Sequence, residues 1–361
     1  TKDVDLAESI FGPDIGTVKG KMTRSRPTPV NDQHIEIPEE MISLHEDVTL
    51  AIDGITINSL KFLSTISRDI YYRTVHNMPD TKAVTYRTAI NDVCGVYWRG
   101  GFQVTDILCD NEFHASLDPI AAARNPPIHV HYAAAQEHVP EAERNNRVIK
   151  EQFRAVYHRL PFTHLPRILV KYLTYESARK PNIFPARQGV SKYYSPRMIV
   201  HQENLSYANH CQTSCGNYVL AHNEPNQTST NAPRALDCLY LRPTASGRHE
   251  CLHLQTNRVI TRSKVTSVPI TPAIITLVNT IATADGMPEG LKITNRFGTI
   301  LYDSSWIAGV DHKDDEDQDH EDDQDYNDDD NDEDDDDGHY DDDDNFDDHD
   351  WPDEEDEEEE Q

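Results

Sequence analysis

Apolar positions recur every three to four residues along one stretch near the middle of the chain. Between Pro140 and Leu160, the residues Ile149, Phe153 and Val156 follow this spacing, which predicts an amphipathic helix with one face on a core. Pro140 suits the first helical position, where a missing N–H costs nothing. The opposite stripe is polar and consists of Glu143, Asn146, Arg147 and Lys150. Taken alone, this stripe fits a solvated helix face.

Short apolar runs rich in β-branched residues precede this helix and predict strands. The first three are separated by short turns, which suggests an antiparallel meander, and a helix is expected at Thr81–Trp98. The predicted strands are Val48–Asp53, Leu60–Ile66, Ile70–His76, Val104–Cys109 and Ile128–Tyr132. With a further helix near Leu165–Ser177, the order β-β-β-α-β-β-α indicates an α/β fold with a five-stranded mixed sheet and flanking helices.

Carboxylates stand at the C-terminal ends of two predicted strands. Asp53 ends the first strand and Asp110 follows the fourth. If these strands are neighbours in the sheet, the two acids lie side by side, and the polar helix can bring Glu143 over them. Such oxygen ligands suit Mg²⁺ or Mn²⁺, and two ions roughly 3.5–4 Å apart can activate a hydroxyl and stabilise a leaving oxygen. An acid after a buried strand is equally compatible with a turn or cap residue.

Three sequence motifs carry a resemblance to a known family. Leu50–Asp53 resembles the first catalytic strand, Cys109–Phe113 a T-D-N-x-x-F signature, and Ala142–Arg147 an A-E-R-x-N-R signature. In this order they resemble the integrase region of Ty1/copia-type retrotransposon Gag-Pol polyproteins, a retroviral-integrase-like fold of the ribonuclease H superfamily. Weaker matches follow at Asn182–Pro185, Tyr194–Arg197, Cys215–Val219 and Leu254–Val265.

The resemblance implies a DDE-type polynucleotidyl transferase that joins DNA strands by attack of a 3′-OH on a target phosphodiester. Asp53, Asp110 and Glu143 are then the catalytic residues and the ligands of two Mg²⁺ or Mn²⁺ ions. Asn146, Arg147 and Lys150 are expected to contact DNA phosphates, which position the duplex without reading its sequence.

The resemblance also implies partners and a location. The expected partners are element-end DNA, target DNA and further copies of the chain, with histones or a polyprotein-linked reverse transcriptase as further candidates. The expected location is the nucleus, after a stage in cytoplasmic virus-like particles.

Several departures from the family pattern keep alternatives open. Pro140 and Glu141 look like an insertion, which makes Glu141 a rival third carboxylate. His138 replaces a usual glycine, Gly54 replaces a larger residue, and 32 residues separate Asp110 from Glu143, a little fewer than usual. The upstream His/Cys zinc module of the family is absent. These departures also fit a catalytically decayed remnant that only binds nucleic acid or chromatin.

Charge divides the chain into two parts. The net charge is −31, but Asp311–Gln361 holds 34 of the 64 acidic residues and one base, Lys313. The first 310 residues therefore hold 30 acids and 32 bases, which gives about +2. A run of this composition cannot bury a core and predicts a disordered acidic tail. The tail is expected to act as a spacer, as a polyanion toward basic surfaces or histones, or as an acidic chaperone.

The remaining boundaries follow from composition. We expect a basic linker at 1–42, the ribonuclease H-like catalytic core at 43–180, a connector with a small SH3-like β module at 181–285, and a linker at 286–310 before the tail at 311–361.

Six cysteines form no dense framework, which favours a reduced setting. No apolar run approaches the roughly 20 residues of a membrane span, so no membrane partner is expected.

Overall fold

The computed structural model describes residues 2–23, 34–133, 139–203, 213–224, 233–244, 246–295 and 298–306. This part of the chain contains both helices and strands. The α-helices are α1 (Lys2–Phe11), α2 (Ile15–Lys21), α3 (Glu39–Leu44), α4 (Ala83–Arg99), α5 (His114–Ala122), α6 (Pro140–Tyr157), α7 (Arg167–Arg179), α8 (Pro196–His201) and α9 (Pro272–Ala284). The strands are β1 (Asp47–Ile57), β2 (Leu60–Ser67), β3 (Arg73–Asn77), β4 (Gln103–Cys109), β5 (His129–Tyr132), β6 (Tyr218–His222), β7 (Ala235–Pro243), β8 (His249–His253), β9 (Arg258–Arg262), β10 (Val265–Ser267), β11 (Lys292–Thr294) and β12 (Ile300–Asp303).

A mixed sheet built around β1 forms the centre of the fold. On one side β1 pairs with β2, and β2 with β3, both antiparallel. On the other side β1 pairs with β4, and β4 with β5, both parallel. The five strands therefore lie in the order β3-β2-β1-β4-β5. This confirms a mixed sheet with the first and fourth predicted strands as neighbours, but the sheet has seven strands and not the predicted five.

Side chains of β1 alternate between two cores because successive residues of a strand point to opposite faces. Leu50 and Ile52 pack in one cluster with Ile90, Val93 and Tyr97 of α4. Ile55 and Ile57 pack in a second cluster, which contains residues of α6 and α7. Helices thus cover both faces of the sheet.

The helix α5 between β4 and β5 is missing from the predicted order. It is nine residues long, contains Pro119, and buries Leu117, Ile120 and Ala121. The proline masks a helical pattern that is already short. The predicted third strand also begins later, at Arg73, because Tyr71 has a positive φ of 59° within the turn that follows β2.

A second sheet lies within the region predicted to hold a small β module. It is antiparallel and five-stranded, in the order β10-β6-β7-β8-β9. Its residues Leu220, Leu239 and Leu252 belong to the same hydrophobic cluster as α6 and α7, so the second sheet packs on the helices that cover one face of the first sheet. Closure of this sheet into an SH3-like barrel stays a prediction.

The linker predicted at 286–310 is wrong, because this region contributes strands to the central sheet. The strand β11 pairs antiparallel with β1 at Thr56 and Ile57, and β12 pairs with β11. Strands of three and four residues show too little periodicity to be recognised in the sequence. Asn58 secures them, since it accepts from Lys292 N–H at 2.7 Å and donates to the Gly290 carbonyl at 3.1 Å.

The irregular lead-in predicted at 1–42 is also wrong in part, because it contains α1, α2 and α3. Asp14 begins α2 by accepting a hydrogen bond from Thr17 N–H at 2.6 Å. Lys19 of α2 pairs with Asp237 of β7 at 2.8 Å.

The acidic tail at 311–361 and His138 lie outside the described residues. None of the described helices is long and apolar enough to cross a membrane.

Candidate active site

Asp53 lies within β1, and Asp110 directly follows the end of the adjacent parallel strand β4. The predicted end of the first strand at Asp53 is wrong, because β1 continues to Ile57. In the register of β1 and β4, Ala51 lies opposite Leu108. Two residues further along each chain come Asp53 and Asp110, which places both on the same face of the sheet. The charge of Asp110 is one cause of the raised pKa of Asp53, so the two carboxylates lie within electrostatic reach of each other.

A break in strand pairing surrounds Asp53. The partner β4 accompanies β1 only as far as Ala51, and β11 joins the same side of β1 at Thr56. Residues 52–55 pair with neither strand on this side, while β2 continues on the other. The Asp53 carboxylate therefore stands beside a gap in the strand pairing of the sheet.

The environment of Asp53 favours its protonated form. Burial raises the pKa of this carboxyl to about 6, and the charges of Asp110 and Glu112 act in the same direction. The Gly54 N–H, which donates to Oδ1 at 2.6 Å, and the Lys150 ammonium oppose the shift in the pKa of Asp53. Crowding of acids in a partly desolvated site is typical of functional carboxylates.

Asn146 holds the Asp53 side chain from α6. Its Nδ2 donates to Asp53 Oδ2 at 2.6 Å, and its Oδ1 accepts from the Ser64 hydroxyl at 2.6 Å. The residue is only 5 % exposed. This corrects the predicted phosphate contact of Asn146, because an amide buried between Asp53 and Ser64 orients the carboxylate and does not face a ligand.

The other three residues of the polar stripe on α6 differ in how far their side chains are exposed to solvent. Glu143 and Arg147 are exposed on α6, and Lys150 is partly buried. Burial lowers the pKa of Lys150, while the charges of Asp53 and Glu143 raise it. Lys150 therefore links the two acids electrostatically, and contact of Arg147 and Lys150 with DNA stays a prediction.

The rival carboxylate Glu141 is engaged elsewhere. Arg68 donates to Glu141 Oε1 from Nε at 3.1 Å and from Nη2 at 2.6 Å. Burial acts to raise the pKa of Glu141, but these hydrogen bonds and the charge of Arg68 leave it lowered. Glu141 therefore pairs with Arg68, and the choice of Glu143 as the third carboxylate stays a prediction.

The residues fit a divalent cation in part. Each oxygen of Asp53 accepts one hydrogen bond, which leaves further lone pairs, and a cation would relieve the repulsion among Asp53, Asp110 and Glu112. However, no three His, Cys, Asp or Glu side chains among the described residues form a ready metal-binding group. Asp53 and Asp110 lie within electrostatic reach of each other, and Glu143 stands on α6.

Sequence reasoning missed three contributors to this site. Ser64 on β2 supports Asn146, the Gly54 N–H supports Asp53, and Glu112 adds negative charge. The acidic pair around Asn111 was visible as a cluster. A single serine within an apolar strand gave no signal of its partner on α6.

No family model and no curated protein matches the chain. Among solved structures, the crystal structure of the catalytic core domain of BIV integrase matches with 14 % identity and a TM-score of 0.32, over 43 % of this chain and 93 % of that chain. A TM-score of this size supports no inference about function. The strand order and the placement of Asp53 and Asp110 therefore carry the assignment below.

Proposed function

We propose that this chain is the integrase region of a Ty1/copia-type retroelement polyprotein and joins DNA strands through a ribonuclease H-like core. The observation that carries the proposal is the pair Asp53, within β1, and Asp110, directly after the adjacent parallel strand β4, beside a gap in strand pairing. The strand order β3-β2-β1-β4-β5 supports the fold, and the polar face of α6 supports the site.

The chemistry is a transesterification. The oxygen of a DNA 3′-OH bonds to a target phosphorus and the existing P–O3′ bond breaks, so one phosphodiester replaces another. Asp53, Asp110 and Glu143 would hold two Mg²⁺ or Mn²⁺ ions, which supply activation of the hydroxyl and charge stabilisation when bound. Asn146 orients Asp53, while Arg147 and Lys150 bind phosphates and hold the strands in line.

Strand joining by the purified full chain tests this proposal. A labelled duplex with a recessed 3′ end is incubated with a target duplex and Mg²⁺ or Mn²⁺. The wild type is expected to form joined products, and Asp110→Asn to form none. Glu141→Gln is the matched control, because this acid is paired with Arg68 and should leave joining unchanged. Loss of activity in Glu141→Gln with activity kept in Glu143→Gln would reverse the choice of third carboxylate.

A second candidate is a nucleic-acid-binding remnant without catalysis. It is favoured by the lack of a preformed three-ligand group among the described residues. In that case the wild type and Asp110→Asn bind DNA equally and neither joins it. Titration of Mn²⁺ against thermal unfolding separates the two candidates without an activity readout. A rise in the unfolding temperature of the wild type, but not of Asp53→Asn, supports the metal-dependent enzyme.

The partners are part of the same proposal. Element-end and target DNA, multimers of the chain, and nuclear action follow from integration. Contact with histones or with a linked reverse transcriptase would involve regions beyond the described core.

A further inference from the structure

The outer edge of the central sheet at β3 is closed at its two ends by side chains. Asn182 acts like a neighbouring strand at Arg73, because its Oδ1 accepts from Arg73 N–H at 2.9 Å and its Nδ2 donates to Arg73 C=O at 2.8 Å. At the other end, the Tyr175 hydroxyl lies near the Asn77 N–H, which acts to lower the pKa of that hydroxyl. Asn182 therefore satisfies the backbone groups of Arg73 that point away from β2.

The backbone N–H and C=O of Val75, which lies between Arg73 and Asn77, point to the same free side. Met78 N–H donates to Lys61 C=O, and Ser67 N–H donates to Tyr72 C=O. Even-numbered residues of β3 therefore bond to β2, and the odd-numbered ones, Val75 included, face outward. Within the described residues, the Val75 N–H and C=O have no hydrogen-bond partner.

A groove runs along this free edge between two helices. It has a volume of about 850 Å³, within the range of roughly 300–1,000 Å³ typical of ligand sites. One wall is formed by Val84 and Thr88 of α4, and the other by Tyr175 and Arg179 of α7. Val84 is 69 % exposed, so the groove offers apolar surface beside an unpaired strand edge.

Arg73 gives the groove a cation that lacks a counter-ion. Its Nη1 donates to Tyr71 C=O at 3.3 Å, its Nε is buried with no partner, and no carboxylate among the described residues pairs with it. The other arginines of the groove are neutralised, since Arg179, Arg197 and Arg242 pair with Glu176, Glu203 and Glu250. Arg73 is partly buried, and removing a charge from water costs free energy that pairing with an anion offsets.

We propose that this groove binds an extended peptide that adds to the edge of β3 and places one carboxylate on Arg73. Strand addition takes affinity from main-chain hydrogen bonds and specificity from side-chain pockets. An open peptide edge with one uncompensated cation fits an acidic peptide better than a nucleic acid, whose repeated phosphates call for a row of unpaired cations. This groove is separate from the candidate active site at Asp53, and the proposed peptide binding does not depend on the proposed DNA joining.

Fluorescence anisotropy on the full chain tests the proposal. The probe is a fluorescein-labelled, terminally blocked peptide of sequence VTEVTV, and its comparison is VTQVTV. Saturable binding is expected, with roughly tenfold weaker affinity for the glutamine peptide, because a charge-assisted hydrogen bond is lost. Arg73→Gln should remove this preference, whereas the matched control Arg87→Gln on α4, an exposed residue outside the groove, should keep it.

Two further changes test the backbone contact. Val75→Pro removes an N–H that β2 does not use, so the strand can persist at the edge while binding is lost. Methylation of peptide amide nitrogens should abolish binding to the unaltered chain, which keeps the test valid if Val75→Pro fails to fold. Any of three results would overturn the proposal. They are the absence of saturable binding at millimolar peptide, equal affinity for both peptides, and displacement of the bound peptide by oligothymidylate that depends on Arg73.

Discussion

At the scale of single residues, Asn146 is the clearest case of a side chain whose role follows from its contacts. It bridges Asp53 and Ser64 in a buried position. Asn146→Ala should lower the free energy of unfolding by about 1–3 kcal/mol, because it leaves buried polar groups unsatisfied. Urea denaturation measures this change.

The exposed neighbour Arg147 supplies the control, since Arg147→Ala should stay within roughly 0.5 kcal/mol of wild type. A reduced DNA affinity of Asn146→Ala at unchanged stability would instead restore the phosphate contact predicted for Asn146.

Asp53 makes stability depend on pH. Its pKa is raised from 3.8 to about 6 in the folded chain, so between these values the folded state holds a proton that the unfolded state releases. Stability from this group is therefore full below about pH 4 and is lost as the pH rises through 6, by up to about 3 kcal/mol. Urea unfolding between pH 4 and 7.5, in buffer with a chelator, measures this loss.

Asp53→Asn cannot titrate and should not show this component of the pH dependence. The two unfolding curves are compared as a difference, since other carboxylates contribute equally to both proteins. A constant difference across the pH range would show that Asp53 ionises normally in the folded state.

The site illustrates which residues a sequence can reveal. Asp53 and Asp110 were noticed because each follows an apolar run, although β1 continues past Asp53 to Ile57 and only Asp110 lies directly after the end of its strand. Asn146 was misplaced because helical spacing at about 100° per residue sets it only about 60° from the buried Ile149. At the border between the buried and exposed faces of a helix, packing against β1 and β2 decides whether a residue is buried. The spacing of residues along α6 does not reveal that packing.

At the scale of elements, close contact between α4 and α8 depends on Gly100. A Cβ at this position would overlap the backbone carbonyl of Val200. Gly100→Ala should therefore destabilise the chain by roughly 1–3 kcal/mol through overpacking. Thermal unfolding measures the effect.

Gly54 is the matched comparison. A Cβ there meets no atom within 4 Å, so Gly54→Ala should change stability by less than about 0.5 kcal/mol. The presence of glycine where a larger residue is usual in the resembled family is therefore no obstacle to the site. Equal destabilisation by both substitutions would contradict the packing at Gly100.

Short elements were the ones that the sequence did not reveal. The long α6 and the apolar β1 and β4 carry enough repeats to be recognised, whereas β11, β12 and the proline-containing α5 do not. Their identity depends on partners distant in the chain, such as the pairing of Ile57 with Ile293. Tertiary contact supplies what local periodicity lacks.

At the scale of the whole molecule, charge is distributed very unevenly. Removal of residues 311–361 changes the net charge from −31 to about +2, since 34 acids and one base are lost. Binding of a fluorescent duplex should strengthen on this deletion at low ionic strength, because long-range repulsion of DNA is removed. The gain should shrink as salt is raised through roughly 0.15 M, where screening shortens the range of charge to about 8 Å. A gain that is independent of salt would point to a cause other than net charge.

The sharing of β1 between β4 and β11 interlocks an early and a late segment of the described chain. Residues near 300 complete a sheet whose first strand begins at Asp47. If residues 1–203 and 204–306 are produced as separate polypeptides in the same cell, they should reassemble and copurify, as the halves of a split reporter do. Independent modules in series would instead fold one by one and separate once the backbone between them is cut.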